Sequence, residues 1–453
     1  MGSAEPFDNR DFPVPNDRFI FQSYAFDASQ GSLRLHYAFA SGEAFEEVLT
    51  FPLCSHALTR AEEEALDRVF RLIFLLAGVS YYKAKIPSCL LCEAFPFDQD
   101  TARFVQETYF HGLGEFSYRN KVELDFHIEC EDVPSLMPMT LPRSDKLLVP
   151  IGGGKDSIVT IEALRKTGAD VTLFALGSAA APAGPIAATI EQSGLPFLYV
   201  KRVLSPKLIE LNDAGALNGH VPITAILSVI ALACAIMQGQ GAVVLSNEHS
   251  ASAPNVFIEG RQINHQYSKS FAFEKALAAY VHTHVSPDLD YFSLLRPLSE
   301  TAIARRFAQH ESYHSLFRSC NTAFRQDEAK RGTHWCCDCP KCRFVFLALA
   351  PFMEKEKLVS IFGRDMLDDE RQLEGFQELC GLSSHKPFEC VGEVEESALL
   401  MGHLAHMEAW KDDFVVAALG KPLYNEARFE ALFAQRQEHL IPQELWAALD
   451  ETI

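Results

Sequence analysis

Gly152, Gly153, Gly154, Lys155, Asp156 and Ser157 stand in a row, between an apolar run and a stretch of helical pattern, within KLLVPIGGGKDSIVTIEAL. Glycines lack the Cβ that would hold a ligand away, so successive backbone N–H groups can converge on oxygens. A helix starting at the end of the row adds partial positive charge. Ser157 can cap the helix or donate to phosphate. Asp156 repels phosphate itself but can hold a Mg²⁺ that bridges phosphates. The row is therefore read as a cradle for the phosphates of a nucleotide, with the metal that accompanies them.

Three phosphate loops differ in what they require. The dinucleotide fingerprint G-x-G-x-x-G is met by Gly152 and Gly154, but Ser157 stands at its third glycine and no acid closes the second strand. The Walker loop is met by Gly154-Lys155, but Val149 replaces its first glycine and Asp156 its hydroxyl. The pyrophosphatase loop, S-G-G-x-D-S, is similar to GGGKDS throughout except that Gly152 replaces its first serine. Enzymes with that loop split ATP between the α and β phosphates, release pyrophosphate, and usually adenylate a carboxylate or carbonyl oxygen.

Other reactive side chains follow downstream. VVLSNEHSAS sets Glu248 and His249 just after an apolar run, and Glu248 can complete a Mg²⁺ site with Asp156. NHQYSKSFAFE is too polar for a core element; His265 and Lys269 in it are candidate proton carriers. NGHVPIT, Asn218 to Thr224, opens a helix that can face the nucleotide, and Arg296, Arg305 and Arg306 are candidates for anionic groups. Cys320, Cys336, Cys339 and Cys342 are spaced C-x15-C-x2-C-x2-C, which suits four thiolates around a structural Zn²⁺, with Cys337 spare. Cys89 and Cys92 form a lone C-x-x-C read as core.

The elements that must carry these residues alternate from Lys146 onward. Strands are expected at 147–151, 171–176, 196–202 and 242–246, and helices at 157–167, 184–193 and 221–238. Continuous apolar strands between helices imply an α/β fold with a parallel sheet covered on both faces, where ligands bind at the strands' carboxyl ends. The first part differs. RFIFQSYAF and SLRLHYAF read as a hairpin around DASQG, TRAEEEALDRVFRLIFLLAG as a helix capped by Thr59 and closed by Gly78, and KVELDFHIEC as a strand. EDVPSLMPMTLPRSDK, with three prolines, reads as a linker. The division expected is an N-terminal α+β domain at 1–140, a pyrophosphatase-loop domain with the cysteine cluster at 145–385, and a C-terminal helical extension at 386–453.

Of 453 residues, 40 are basic and 60 acidic, a net charge of −20. A nucleic-acid partner needs clustered Lys and Arg to displace counterions, so none is expected. No apolar run is long enough to span a membrane. The polar, acidic start MGSAEPFDNRDFPVPNDRF has neither a secretory pattern nor, with Pro6, a myristoylation pattern. The cysteines then suit a reducing cytoplasm.

PIGGGKDSIVTIEAL, NGHVPITAI, SNEHSAS, NHQYSK, RPLSETAIARRFA, CDCPKCRFVFLALAPF and PFECVGE together resemble the UDP-N-acetyl-α-D-muramoyl-L-alanyl-L-glutamate epimerases, closely over 145–395 and loosely before that. The resemblance implies a pyrophosphatase-loop sheet and a reaction of peptidoglycan precursor synthesis. The terminal L-Glu of a UDP-muramoyl dipeptide is epimerised, with ATP giving AMP and pyrophosphate and Mg²⁺ required. Gly152, Gly153, Gly154, Lys155 and Ser157 would then hold ATP, and Asp156 and Glu248 the Mg²⁺. The epimerising base stays open among Glu248, His249, His265, Lys269, Cys320 and Cys390. Another adenylating enzyme of the same superfamily, an amide or nitrile synthase or a thiolase, is the alternative. A nucleotide-binding module without catalysis is a third reading, disfavoured by the presence of both Asp156 and Glu248.

Overall fold

Leu148, Val243 and Leu245 pack into one apolar core while Leu147, Val149, Ala242 and Val244 pack into another. Alternate residues of a strand point to opposite faces, so these runs are buried on both sides, as a covered parallel sheet requires. The structure, a computed structural model, describes residues 17–258, 260–324, 332, 334–383 and 386–449. The N-terminal segment read for leader and lipid signals lies largely outside them.

The strands are β1 (Arg18–Asp27), β2 (Ser32–Phe39), β3 (Ala44–Thr50), β4 (Cys89–Cys92), β5 (His127–Glu129), β6 (Leu147–Pro150), β7 (Val171–Gly177), β8 (Phe197–Val203), β9 (Ala242–Leu245), β10 (Val256–Ile258), β11 (Arg261–Ile263) and β12 (Asp290–Ser293). Ten form one sheet in the order β12-β9-β6-β7-β8-β3-β2-β1-β4-β5, and β10 and β11 form a separate hairpin. The block β12-β9-β6-β7-β8 is parallel throughout. The chain enters it at β6 and winds outward to both sides, so the crevice between β6 and β9 is the switch point where ligands bind in such sheets.

The boundary expected near 140 is no break in this sheet. β3 pairs antiparallel with β8, joining Val48, Leu49 and Thr50 to Val203, Arg202 and Lys201. The seam is held by a buried ion pair. The Arg202 guanidinium donates to both carboxylate oxygens of Glu47 at 2.7 and 3.2 Å, and the Tyr81 hydroxyl donates to the same carboxylate at 2.9 Å. Helix Arg60–Ala77, with the expected cap at Thr59, packs against helix Ile223–Gln238 across that region. The strand expected over KVELDFHIEC shrinks to His127–Glu129, and 131–146 carries no regular element, as read for a linker. Cys89 and Cys92 are buried in β4. Among the described residues no helix is long and apolar enough to cross a membrane.

Candidate active site

Helix Lys155–Thr167 begins two residues earlier than the pattern suggested, so Lys155 and Asp156 lie on its first turn. Gly154 is its extended N-cap, and the Ser157 hydroxyl donates back to the Gly154 carbonyl at 3.1 Å. Gly153 has φ +72°, and a Cβ there would stand 2.6 Å from that of Pro185. A side chain at 153 is therefore excluded twice, by conformation and by space. At Gly152 nothing lies within 4 Å of a Cβ, so the sheet tolerates the serine that the loop pattern favours. The Arg318 amide donates to the Gly153 carbonyl at 2.9 Å and fixes the loop from the other side.

The loop forms one wall of a pocket at the carboxyl ends of β6 and β9, where Lys155, Asp156, Glu248, Lys269, Glu300 and Cys390 meet. Lys155 is 3% exposed, and its ammonium is bound between the Asp156 and Glu300 carboxylates. Burial disfavours that charge, but Asp156 and then Glu300 hold the amine protonated well above the usual lysine range. Glu300 escapes a sequence reading because its neighbours Ser299 and Thr301 present it as an ordinary first-turn acid of helix Glu300–Ala308. Asp156 and Glu248 line the pocket without forming a cage. Mg²⁺ keeps several waters and binds through one or two carboxylates plus substrate phosphates, so two acids beside a glycine cradle fit it.

On the far wall the Lys269 ammonium donates to the Cys390 sulfur at 3.6 Å. His265 is bound through Nδ1 to Glu115, and its charge acts on the same thiol. Glu115 comes from the N-terminal part, whose residues gave no chemical signal, and the sequence analysis missed it. So did it miss His220 as a site residue, although NGHVPIT was singled out. Its ring lies 4.3 Å from that of His265, centroid to centroid. The Asn218–His220 turn is itself held from the N-terminal side, by Lys83 on the Asn218 side chain and by Asn120 on the Asn218 carbonyl at 3.2 Å. Asn255 ties the two reactive loops together, accepting from the His265 amide and donating to the Pro387 carbonyl, both at 2.8 Å.

His249 is turned elsewhere. It lines a second cavity with Glu393, Arg428 and Arg436, and its nearest carboxylate, Glu393, is 3.9 Å away. Burial, with Arg436 and Arg296 nearby, pushes its imidazole down to about 4, so it is neutral near pH 7. Arg296, a candidate for anionic substrate groups, is instead 1% exposed and fully used inside the protein. It binds the Glu274 carboxylate and the backbone carbonyls of Glu248 and Lys269. Arg305 stacks on Phe433 with 4.0 Å to the ring centroid, and Arg306 donates to the Leu449 carbonyl at 2.8 Å. Both belong to helix packing.

The sulfurs of Cys320, Cys336, Cys339 and Cys342 lie within 4.8 Å of one another. Cys342 is 3.6 Å from Cys336 and 3.5 Å from Cys339, close to the ~3.8 Å between sulfurs of a tetrahedral Zn²⁺ site. Cys337 turns away to donate to the Phe362 carbonyl at 3.2 Å, which explains why it is spare. Ser319, beside Cys320, and Lys341, beside Cys342, both line the pocket beside the glycine loop. The thiol cluster is thus a buttress behind the site.

Two family models match the chain: the MurL N-terminal domain over residues 13–294 and the MurL C-terminal domain over 316–432. The chain is 44% identical over 436 residues to the UDP-N-acetyl-alpha-D-muramoyl-L-alanyl-L-glutamate epimerase of Xanthomonas oryzae pv. oryzae, covering 94% of this chain and 96% of that protein. It is 45% identical over 409 residues to the protein of that name from a Micromonospora species, covering 89% and 90%. A third of the same name, from Salinispora tropica, is 45% identical over 410 residues, covering 89% and 88%.

Proposed function

The chain belongs to the MurL family of UDP-N-acetyl-α-D-muramoyl-L-alanyl-L-glutamate epimerases, and from that premise we propose that it epimerises the terminal L-Glu of UDP-MurNAc-L-Ala-L-Glu by way of an acyl-adenylate. The observation that carries the reading is one pocket with two unlike walls. Its glycine loop and carboxylates suit a nucleotide, and its Lys269–Cys390 contact suits proton transfer.

The chemistry explains why both walls are needed. The α-proton of a free carboxylate is hard to remove, because the carbanion would form beside a full negative charge. Attack of the carboxylate on the α-phosphorus of ATP expels pyrophosphate and cancels that charge. A base then takes the α-proton, a proton returns on the other face, and water releases AMP. The loop amides of residues 152–157 hold the leaving phosphates, with the helix N-terminus behind them. Asp156 and Glu248 would hold Mg²⁺, which neutralises phosphate charge when bound. Cys320, Cys336, Cys339 and Cys342 would hold Zn²⁺, which would stiffen the wall carrying Ser319 and Lys341. Cys390, Lys269 and His265 are the proton-transfer candidates that the fold brings together.

The test is incubation with ATP, Mg²⁺ and UDP-MurNAc-L-Ala-L-Glu in D₂O. AMP, pyrophosphate and deuterium at the glutamyl α-carbon are expected, and Asp156→Ala should form no AMP. Release of ADP and orthophosphate, or epimerisation without nucleotide, would refute the reading. AMP formation with an amide, nitrile or thiolated product instead would identify another adenylating enzyme.

A further inference from the structure

Glu115 with His265, and Lys269 with Cys390, are two contacting pairs, and the His265 charge acts on the Cys390 thiol, so the four make a row from the N-terminal part into the pocket. Each end is anchored. The Glu115 carboxylate binds His265 Nδ1 through one oxygen and Arg119 through the other. Nδ1 is thus taken by Glu115. The Lys269 carbonyl is held by Arg296 at 2.7 Å, so the ammonium is delivered from a fixed backbone. A thiol placed between an ammonium and a carboxylate-backed imidazole is built to be an anion.

We propose that the Cys390 thiolate removes the glutamyl α-proton, and that Glu115 and His265 are positioning residues that hold the thiolate ready. The proposal rests on the acyl-adenylate reading above. The α C–H bond breaks, an S–H bond forms, and the electron pair moves onto the acyl oxygen as an enolate. Water on the opposite face donates the returning proton, and the hydroxide left is neutralised by the proton the thiol gives up. Atoms and charge balance without an oxidant or reductant.

Every charged group facing the row agrees with this assignment. Burial alone would raise the Cys390 thiol, but Lys269, then Lys341 and His265, bring it down to about 6. Burial opposes the His265 charge too, yet the Cys390 thiol and the Glu115 carboxylate push it up to about 9. Burial, then the charged His265 ring, pushes His220 down to about 4, so it packs against His265 uncharged. Lys269 faces Cys390 first and then Glu248 and Asp156, which keep it protonated.

Two measurements test the row. The first is the rate of Cys390 alkylation by iodoacetamide against pH, followed on the peptide that contains it. A midpoint near 6 is expected in the natural protein, and Glu115→Gln and His265→Gln should each move it up by a pH unit or more. A midpoint near 9 in the natural protein, or one unmoved in both variants, would overturn the proposal. The second compares deuterium incorporation with exchange of labelled pyrophosphate into ATP. Cys390→Ser should lower incorporation, relative to its own exchange rate, by at least about 100-fold. An unchanged ratio would overturn the assignment of the base. Absence of pyrophosphate exchange in the natural protein would instead refute the acyl-adenylate reading, while the alkylation midpoint still reports on the row by itself.

Discussion

Arg296 donates to the backbone carbonyl of Lys269 at 2.7 Å, from a guanidinium that also binds the Glu248 carbonyl and both sits against and neutralises Glu274. One buried side chain thereby fixes a residue on each wall of the pocket. Arg296→Met leaves Glu274, itself 1% exposed, as an uncompensated buried charge, and should destabilise the fold by roughly 3–5 kcal/mol. Chemical denaturation checks this. The double variant Arg296→Met with Glu274→Gln should recover part of the loss, because the orphan charge is gone; a double variant less stable than the single one would contradict the account.

Glu300→Gln tests the carboxylate that the sequence hid. The Lys155 ammonium is shared by Asp156 and Glu300, so removing the second acid draws Lys155 wholly onto Asp156. With Mg²⁺ held as proposed, Asp156 would then be a poorer partner for it, and the Mg²⁺ concentration giving half-maximal AMP formation should rise about 10–100-fold, as for loss of an outer partner at a metal site. An unchanged Mg²⁺ requirement would separate Glu300 from the metal.

What could be read in the sequence follows from how local each signal is. The glycine loop, its helix and the parallel strands are contiguous patterns, and they fall within a few residues of where the alternation puts them. The four cysteines are also a local spacing, and they converge. The N-terminal part reads as separate because its seam with the sheet is charged. Glu46 and Glu47 interrupt the apolar pattern of β3, and only the paired Arg202, far along the chain, shows Glu47 to be a core residue. Glu115 fails for the same reason. Its partner His265 is 150 residues away, and nothing near GEFSYRN marks the acid as more than a helix charge. Arg296 was misjudged because a lone arginine in a polar-looking segment gives no sign of burial.

The thiol cluster yields a paired prediction. Cys339→Ser should lose bound Zn²⁺ and raise the KM for ATP, since Ser319 and Lys341 sit on the wall that the cluster braces. Cys337→Ser should keep the metal, because that thiol already spends itself on the Phe362 carbonyl. Metal analysis of both variants decides the matter: equal metal content in the two would mean that the cluster does not select its ligands as the geometry does.

The pH profile is the sharpest test of the relay from the N-terminal part. Cys390 is lowered to about 6, so its reactive thiolate is present above that pH and lost as pH falls through it. His265 is raised to about 9, so the imidazolium facing the thiolate is present below that pH and lost as pH rises through it. Epimerisation should therefore follow a bell in kcat/KM with limbs near 6 and 9. Glu115→Gln removes the carboxylate that favours the imidazolium. The alkaline limb should move down, and because a less charged His265 supports the thiolate less, the acid limb should move up. A merely structural role for Glu115 would lower the whole bell without narrowing it, so kcat/KM measured from pH 5 to 10 in both proteins distinguishes the two, and limbs that stay in place in Glu115→Gln would exclude the relay.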